Sequence, residues 1–336
     1  MKRKRFLKPP FNWIVRVIGS AIFLWLILRA IDLEVVISNV RDMNLYVYLL
    51  LFVLFLFYQY LTALRWFHLL QMVGIRGSMY RLYRSVLYGQ LISRILPTSV
   101  GGDTARAGFL LARYPHKKYE SVSATLMDRV VGIYSLVIIA VITLPFVTLF
   151  TTRERLIGFL SLILFLVFSG LTLWGRLDSF YLWVMKLQFI PDFIGKRLQK
   201  FWDTFLAFRK DKTRLFAIVL FSLFTQIVLI GSQYLTFVAV GGDLPVLKLF
   251  LVTPIVNIIT LLPISIGGLG LREAALVRFL DITNDTVLSY TLIRYSYYIF
   301  LPAILFVMSL FVDGWGDFKG EKDDGSSMEA ENQVNG

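Results

Sequence analysis

Six long apolar runs constrain this chain more than any other feature of its sequence. Most of them reach the roughly 20 residues that a helix needs to cross about 30 Å of hydrocarbon. The runs are continuous, so they predict helices rather than the alternating strands of a barrel. Hydrophobic residues make up 57% of the 336 positions, which is more than a soluble domain can bury. The predicted spans are residues 13–31, 46–70, 122–150, 156–175, 214–240 and 287–312.

The sequence therefore predicts an all-α polytopic membrane protein with about six full spans. Residues 1–12 form a basic N-terminus, 13–312 a single membrane domain, and 313–336 a polar tail whose composition favours disorder. An amphipathic loop at 176–213 is predicted to lie along the inner leaflet. The positive-inside rule places both termini in the cytoplasm, because Lys and Arg concentrate in the connections 1–12, 71–84, 106–120 and 176–214.

The +13 net charge and the absence of cysteine narrow the classes of function. In a membrane protein, a basic excess is typical of cytoplasmic loops that face anionic headgroups, so no nucleic-acid partner is expected. Without cysteine there are no disulfides, thiolate nucleophiles or Cys-based metal sites. The sequence also lacks a phosphate loop, a serine-nucleophile elbow and an H-E-x-x-H motif. We expect a protein that is not an enzyme and that holds no cofactor or metal.

One element, L-P-x-S-[VI]-G-G-x-x-x-R, occurs at residues 96–106 and again at 262–272. Its proline and paired glycines interrupt apolar stretches, which predicts re-entrant or broken-helix hairpins over 85–113 and 246–280. The first half of the second stretch, 246–262, is long enough that a full membrane crossing is an alternative to a re-entrant half-helix. Three predicted spans separate the copies, and an odd number of crossings inverts one copy relative to the other. The pattern predicts an inverted repeat, which in transporters locates the binding region.

The repeated element has the chemistry of an anion site. Free backbone N–H groups at the start of a helix attract an anion, and an arginine on the first turn adds a planar donor for phosphate. An acidic residue accompanies each arginine, and Asp103 and Glu273 are candidates for proton coupling or ion pairing. The candidate substrate-binding residues in the two copies are Ser99, Gly101, Gly102, Arg106, Ser265, Gly267, Gly268 and Arg272.

These residues also have ordinary structural alternatives. The glycines could serve only close helix packing, and the serines could bond the backbone. Asp103 could cap a helix, and Arg106 could extend its charged end to the membrane interface. The arginine–acid pair at 272–273 is harder to explain in this way, since it adds two charges within the membrane.

Further charged residues lie in or beside the predicted spans. Asp128 and Arg129 follow the start of the 122–150 span, and Arg294 lies inside the last one. A charge at that depth is costly unless it faces a polar interior, so Arg129 and Arg294 are added to the substrate-binding candidates and Asp128 to the proton-coupling or ion-pairing candidates. Structural ion pairing remains an alternative for Arg294. Arg65, near the end of the second span, is interpreted as extending to the interface.

These motifs resemble the lysylphosphatidylglycerol synthase transmembrane region, the flippase-like half of the multiple peptide resistance factor. The resemblance covers about residues 10–312. It implies that the protein moves a lipid with a charged headgroup across the cytoplasmic membrane. It rests on Pro97-x-x-x-Gly-Gly-Asp-x-x-Arg106, on Asp128-Arg129 where the family commonly has Glu-Arg, on Pro263-x-x-x-Gly-Gly-Leu-Gly-x-Arg272-Glu273, and on Arg294 with Tyr298 and Pro302.

The sequence and the resemblance together predict a flippase-like transporter of an anionic lipid, either a phospholipid or a polyprenyl-phosphate-linked lipid. The alternative is a membrane-embedded enzyme or an accessory subunit in glycolipid or isoprenoid lipid synthesis. In some relatives this region is joined to a soluble transferase. Here we expect a stand-alone member, for which a separately encoded transferase is a candidate partner.

Overall fold

The computed structural model describes residues 33–95, 101–147, 151–173, 204, 206–260, 270–300, 302 and 304. Within these ranges the chain is helical and contains no strand, which confirms the predicted all-α class. A 3-10 turn at Leu144–Phe146 follows the helix Lys118–Thr143, and a π-helical turn at Ser296–Phe300 follows the helix Asn284–Tyr295. The α-helices of the described residues are α1 (Leu33–Arg41), α2 (Leu45–Met72), α3 (Met79–Ile95), α4 (Gly101–Arg113), α5 (Lys118–Thr143), α6 (Thr152–Leu173), α7 (Lys212–Ala239), α8 (Val246–Ile259), α9 (Leu271–Leu280) and α10 (Asn284–Tyr295).

Helices α2, α5 and α7 are long and apolar enough to cross a membrane. They confirm the apolar helices predicted over 46–70, 122–150 and 214–240. Their outer faces expose large apolar side chains such as Phe57 and Phe224, as expected for surfaces that contact lipid. Helix α6 covers most of the 156–175 prediction, and α10 begins the last one. The 13–31 span, most of the 176–213 loop and the 313–336 tail lie outside the described residues.

Polar residues and glycines set the ends of the long helices. The Asn44 side chain accepts a hydrogen bond from the backbone N–H of residue 46 at the start of α2, and Asp211 accepts one from residue 214 at the start of α7. Beyond their C-termini, Gly74 and Gly241 have φ values of 75° and 78°, a backbone conformation that favours glycine. The long apolar runs therefore begin and end at positions that the local sequence specifies.

Helices α3 and α4 form the first hairpin, and its two ends lie together. The Tyr114 hydroxyl donates to the carbonyl of Arg76 at 2.9 Å, and Lys117 Nζ donates to the carbonyl of Gly74 at 2.5 Å. These contacts hold the hairpin ends beside the C-terminus of α2 and the N-terminus of α5. The α7 N-terminus is at the same end, because Arg214 donates to the Gln71 side chain at 2.5 Å.

Helices α8 and α9 form the second hairpin, whose ends lie at the other end of the long helices. Lys248 Nζ, near the start of α8, donates to the carbonyl of Leu280 at the end of α9 at 2.7 Å. Lys248, Arg278 and Phe146 line one surface cavity of ≈ 550 Å³, so this end lies beside the C-terminus of α5. Helix α8 has 14 residues and a length of about 21 Å, too short to cross the hydrocarbon by itself.

Buried apolar side chains form two large clusters, one beside each hairpin. The first includes Trp66, Met127 and Leu215 from the halves of α2, α5 and α7 that lie near the first hairpin. The second includes Phe237 and Tyr290 and packs α8, α9 and α10 against α7. Each hairpin is therefore held by its own core, and the same three long helices contribute to both cores.

Candidate functional site

Asp128 on α5 is the centre of a buried charge cluster. Its Oδ1 accepts a hydrogen bond from Arg65 Nε at 2.7 Å, and its Oδ2 accepts from Arg106 Nη1 and Nη2, each at 3.1 Å. The exposed fractions of Asp128, Arg65 and Arg106 are 2%, 6% and 7%. Burial of these three charges is tolerable because each has a close partner of opposite sign.

Asp103 on α4 extends this cluster. Its Oδ2 accepts from Arg129 Nη1 at 3.0 Å, and its Oδ1 lies 3.6 Å from Arg106 Nη1. Three arginines thus face two carboxylates, and the group carries a net charge of +1 when all five side chains are ionised. We call Arg65, Asp103, Arg106, Asp128 and Arg129 the first arginine cluster.

Neighbouring side chains hold the guanidinium groups of Arg65 and Arg106 in place. Arg65 Nη1 donates to Ser222 Oγ on α7 at 2.7 Å, and Gly132 lies beside the guanidinium, where a Cβ would be in van der Waals contact with both Nη atoms at 3.4 Å. The guanidinium carbon of Arg106 lies 4.2 Å from the centre of the Trp66 ring, a cation–π contact. The arginines are therefore oriented by packing as well as by charge.

Three interpretations of the sequence need correction at this cluster. Arg65 does not extend to the interface, because it is buried seven residues, or about 10 Å, before the end of α2 and is paired with Asp128. Arg106 is likewise buried and paired. Asp103 is not at the N-cap position of α4, which begins at Gly101, but lies in the first turn and binds arginines. A carboxylate predicted inside one span was a signal that another span supplies its cation.

Gly102 has the tight packing that the sequence offered as an alternative to substrate binding. A Cβ at this position would lie 2.6 Å from the carbonyl oxygen of Gly89 on α3 and 3.1 Å from Ser93 Cβ. Gly101 is buried at the start of α4. Helices α3 and α4 can approach this closely only because both contact positions are glycine. Four of the predicted substrate-binding residues lie outside the described residues: Ser99, Ser265, Gly267 and Gly268.

Arg294 on α10 is the centre of a second group of charged and aromatic residues. It is 8% exposed, and its Nη1 donates to the Tyr290 hydroxyl at 3.2 Å. Its guanidinium carbon lies 5.0 Å from the ring centre of Tyr298 and 5.9 Å from that of Tyr290. Within the described part of the chain, no carboxylate lies within the 4.0 Å of a salt bridge to Arg294. We call Arg272, Glu273, Tyr290, Arg294 and Tyr298 the second arginine cluster.

Glu273 is the carboxylate of this second cluster, and it is bonded to its own helix and to α10. Its Oε2 accepts from the backbone N–H of Gly270 at 2.7 Å, and its Oε1 accepts from the Thr291 hydroxyl at 3.3 Å. Gly270 has a φ of 75°, so glycine suits this turn at the start of α9. Glu273 thus fixes the helix start beside Arg272 and leaves Arg294 without a carboxylate among the described residues.

Arg272 and Arg294 line the same small internal cavity. Its volume is ≈ 10 Å³, about the size needed for one water molecule, so it is closed to a lipid headgroup in this conformation. Gln233 on α7 and Thr253 on α8 complete its polar wall, and the Thr253 hydroxyl donates to Gln233 Oε1 at 3.2 Å. The guanidinium groups of both clusters are of a chemical type that is well suited to binding phosphate.

Comparison with known proteins gives a family match over most of the chain. The family described as "Lysylphosphatidylglycerol synthase TM region" matches residues 13–305. A protein described as "UPF0104 membrane protein" from Methanothermobacter thermautotrophicus is 25% identical over 237 residues, which cover 65% of this chain and 70% of that protein. The family match over residues 13–305 includes both hairpins and both arginine clusters.

Proposed function

This chain belongs to the family of the lysylphosphatidylglycerol synthase transmembrane region, and we propose that it is a flippase-like transporter of an anionic lipid in the cell membrane. The main support for this proposal is the buried side chain of Arg294. A buried guanidinium without a carboxylate partner among the described residues is costly, and an anionic ligand offsets that cost. Its position on an interior helix face fits a transport pathway rather than contact with lipid chains.

The two hairpins support an inverted-repeat mechanism. Their ends lie at opposite ends of α2, α5 and α7, and each hairpin is adjacent to one arginine cluster. We infer that one hairpin enters the membrane from the cytoplasm and the other from outside, as in transporters built from inverted repeats. A lipid phosphate would then bind one cluster in one leaflet and the other cluster in the opposite leaflet.

The first cluster is closed by its own carboxylates. Asp128 accepts hydrogen bonds from both Arg65 and Arg106, so a lipid phosphate has to replace Asp128 at one of these arginines. Asp103 competes in the same way for Arg129. We propose that this exchange between an internal carboxylate and the lipid phosphate opens the first cluster, whereas in the second cluster Arg294 has no carboxylate to displace among the described residues.

Translocation of a fluorescent anionic phospholipid in reconstituted liposomes tests this function. We expect Arg294→Gln to lower the rate at least about tenfold, because one charge-assisted hydrogen bond to phosphate contributes about 1.5 kcal/mol or more. A zwitterionic phospholipid with the same label should be moved more slowly by the wild type. Equal rates in protein-containing and protein-free liposomes would overturn the proposal.

Arg278→Gln is the matched control. Arg278 lies on α9, six residues after Arg272, but is exposed at the surface. The same change of charge and side-chain type there should leave the rate within about twofold of the wild type, in line with the small effect of most surface substitutions. An equal loss in both variants would mean that the effect comes from net charge and not from the second arginine cluster.

A further inference from the structure

Gln59 on α2 is a buried amide without a hydrogen-bond partner. It is 0% exposed, and neither its Nε2 nor its Oε1 bonds to any of the described residues. Buried polar groups in proteins are nearly always bonded, so an orphaned donor and acceptor on one side chain need an explanation. Neither the first nor the second arginine cluster includes this residue.

The position of Gln59 relates it to both clusters. Phe55, one helical turn away on the same face of α2, has its ring centre 4.5 Å from that of Tyr298 in the second cluster. Trp66, seven residues beyond Gln59 on that face, packs on Arg106 of the first cluster. Gln59 therefore lies between the two clusters, about 6 Å along the helix from Phe55 and about 10 Å from Trp66.

A second amide lies at a similar depth on α7. Gln226 is buried, its Oε1 has no partner among the described residues, and its Nε2 donates to the carbonyl of Gly132 at 3.4 Å. The bond between Arg65 and Ser222 sets the register of the antiparallel helices α2 and α7. Measured along the helix axes from that bond, Gln59 lies about 9 Å closer to the second cluster on α2, and Gln226 lies about 6 Å closer to it on α7.

We propose that Gln59 and Gln226 form a neutral binding site for a hydroxyl group of the lipid headgroup, between the two arginine clusters. This inference rests on the proposed transport of an anionic lipid and specifies its headgroup. A hydroxyl both donates and accepts, which matches the free donor and acceptor of Gln59, whereas an ionised phosphate diester only accepts. The arginines bind the phosphate, and the amides bind the hydroxyl-bearing group attached to it.

Lipid-dependent thermal unfolding of the full chain in detergent tests the site without any transport step. The two probes are phosphatidylglycerol and phosphatidylethanol with identical acyl chains, which share one phosphodiester charge and differ in headgroup hydroxyls. We expect phosphatidylglycerol to raise the unfolding midpoint of the wild type more than phosphatidylethanol does. Gln59→Met keeps the side-chain length and removes both amide groups, so the two lipids should then give the same shift.

Gln71→Met is the control, because Gln71 lies on the same helix but outside both clusters. It should keep the wild-type difference between the lipids. Gln226→Met is a second variant of the site and should also reduce the difference between the lipids. It serves as the test if Gln59→Met does not fold. Equal shifts by the two lipids in the wild type, or an unchanged difference in both site variants, would overturn the inference. Loss of translocation with an intact lipid-specific shift would instead overturn the transport function and leave the binding site standing.

Discussion

At the scale of residues, the molecule is distinguished by the way its buried arginines are paired. The first cluster pairs three arginines with Asp128 and Asp103, whereas Arg294 in the second cluster contacts tyrosines. A buried charge in a membrane protein is expensive and is therefore usually functional. Among the described residues, Arg65, Arg106 and Arg129 each pair with a carboxylate, whereas Arg294 does not.

Asp128→Asn should strongly destabilise the fold. The substitution keeps the shape of the side chain but leaves Arg65 and Arg106 buried without their shared carboxylate, which costs about 3–5 kcal/mol when a buried pair is broken. The measurement is the free energy of unfolding in detergent. Asp243→Asn, at an exposed position, is the control and should change it by less than about 0.5 kcal/mol. Equal stability of the two variants would show that the Asp128 pairing does not hold the helices together.

Glu273 should be replaceable by glutamine but not by alanine. Its two oxygens accept hydrogen bonds from the Gly270 N–H and the Thr291 hydroxyl, and a glutamine oxygen can keep the bond to Gly270. We expect Glu273→Ala to lose about 0.5–2 kcal/mol, as for a lost helix cap, and Glu273→Gln to lose much less. Thermal unfolding measures both variants. If Glu273→Gln is stable but inactive in translocation, the carboxylate has a proton-coupling role beyond the cap.

At the scale of elements, the first hairpin depends on a close contact between α3 and α4. Gly102→Ala would place a Cβ 2.6 Å from the backbone oxygen of Gly89, so α3 and α4 would have to separate, at a cost of about 1–3 kcal/mol. Gly108 is the control on the same helix, because a Cβ there meets nothing within 4 Å. Gly108→Ala should be neutral or stabilising, since alanine favours helix. The comparison of the two unfolding free energies tests the α3–α4 contact, and equal values would contradict it.

The elements themselves could largely be predicted from the sequence. The apolar runs predicted the long helices. The Pro-x-Ser-x-Gly-Gly pattern predicted breaks that fall between α3 and α4 and between α8 and α9. Pairing across the bundle could not be predicted, because Arg65 and Asp128 are 63 positions apart and only the packing of α2 on α5 brings them together. The adjacent Asp128 and Arg129 bind different partners, since consecutive helical residues point in different directions.

At the scale of the whole molecule, the proposed transport mechanism requires hairpins that enter from opposite sides of the membrane. The absence of native cysteine makes single-cysteine labelling specific. His116 lies in the connection after the first hairpin, and Asp243 lies in the connection before the second. Both residues are exposed, so His116→Cys and Asp243→Cys can be labelled. An impermeant thiol reagent should label them from opposite sides of right-side-out and inverted vesicles. Labelling of both from the same side would contradict the inverted arrangement.

In the proposed mechanism, one lipid phosphate binds both arginine clusters in turn during a single crossing. The most direct measurement is the translocation rate of a labelled anionic phospholipid in liposomes containing the wild type, Arg106→Gln, Arg294→Gln or both changes. Two steps in series predict that each single variant is slow and that the double variant is only about twofold slower than the slower single one, since the slowest step sets the rate. A wild-type rate from either folded single variant would contradict the claim, because that cluster would then lie outside the path.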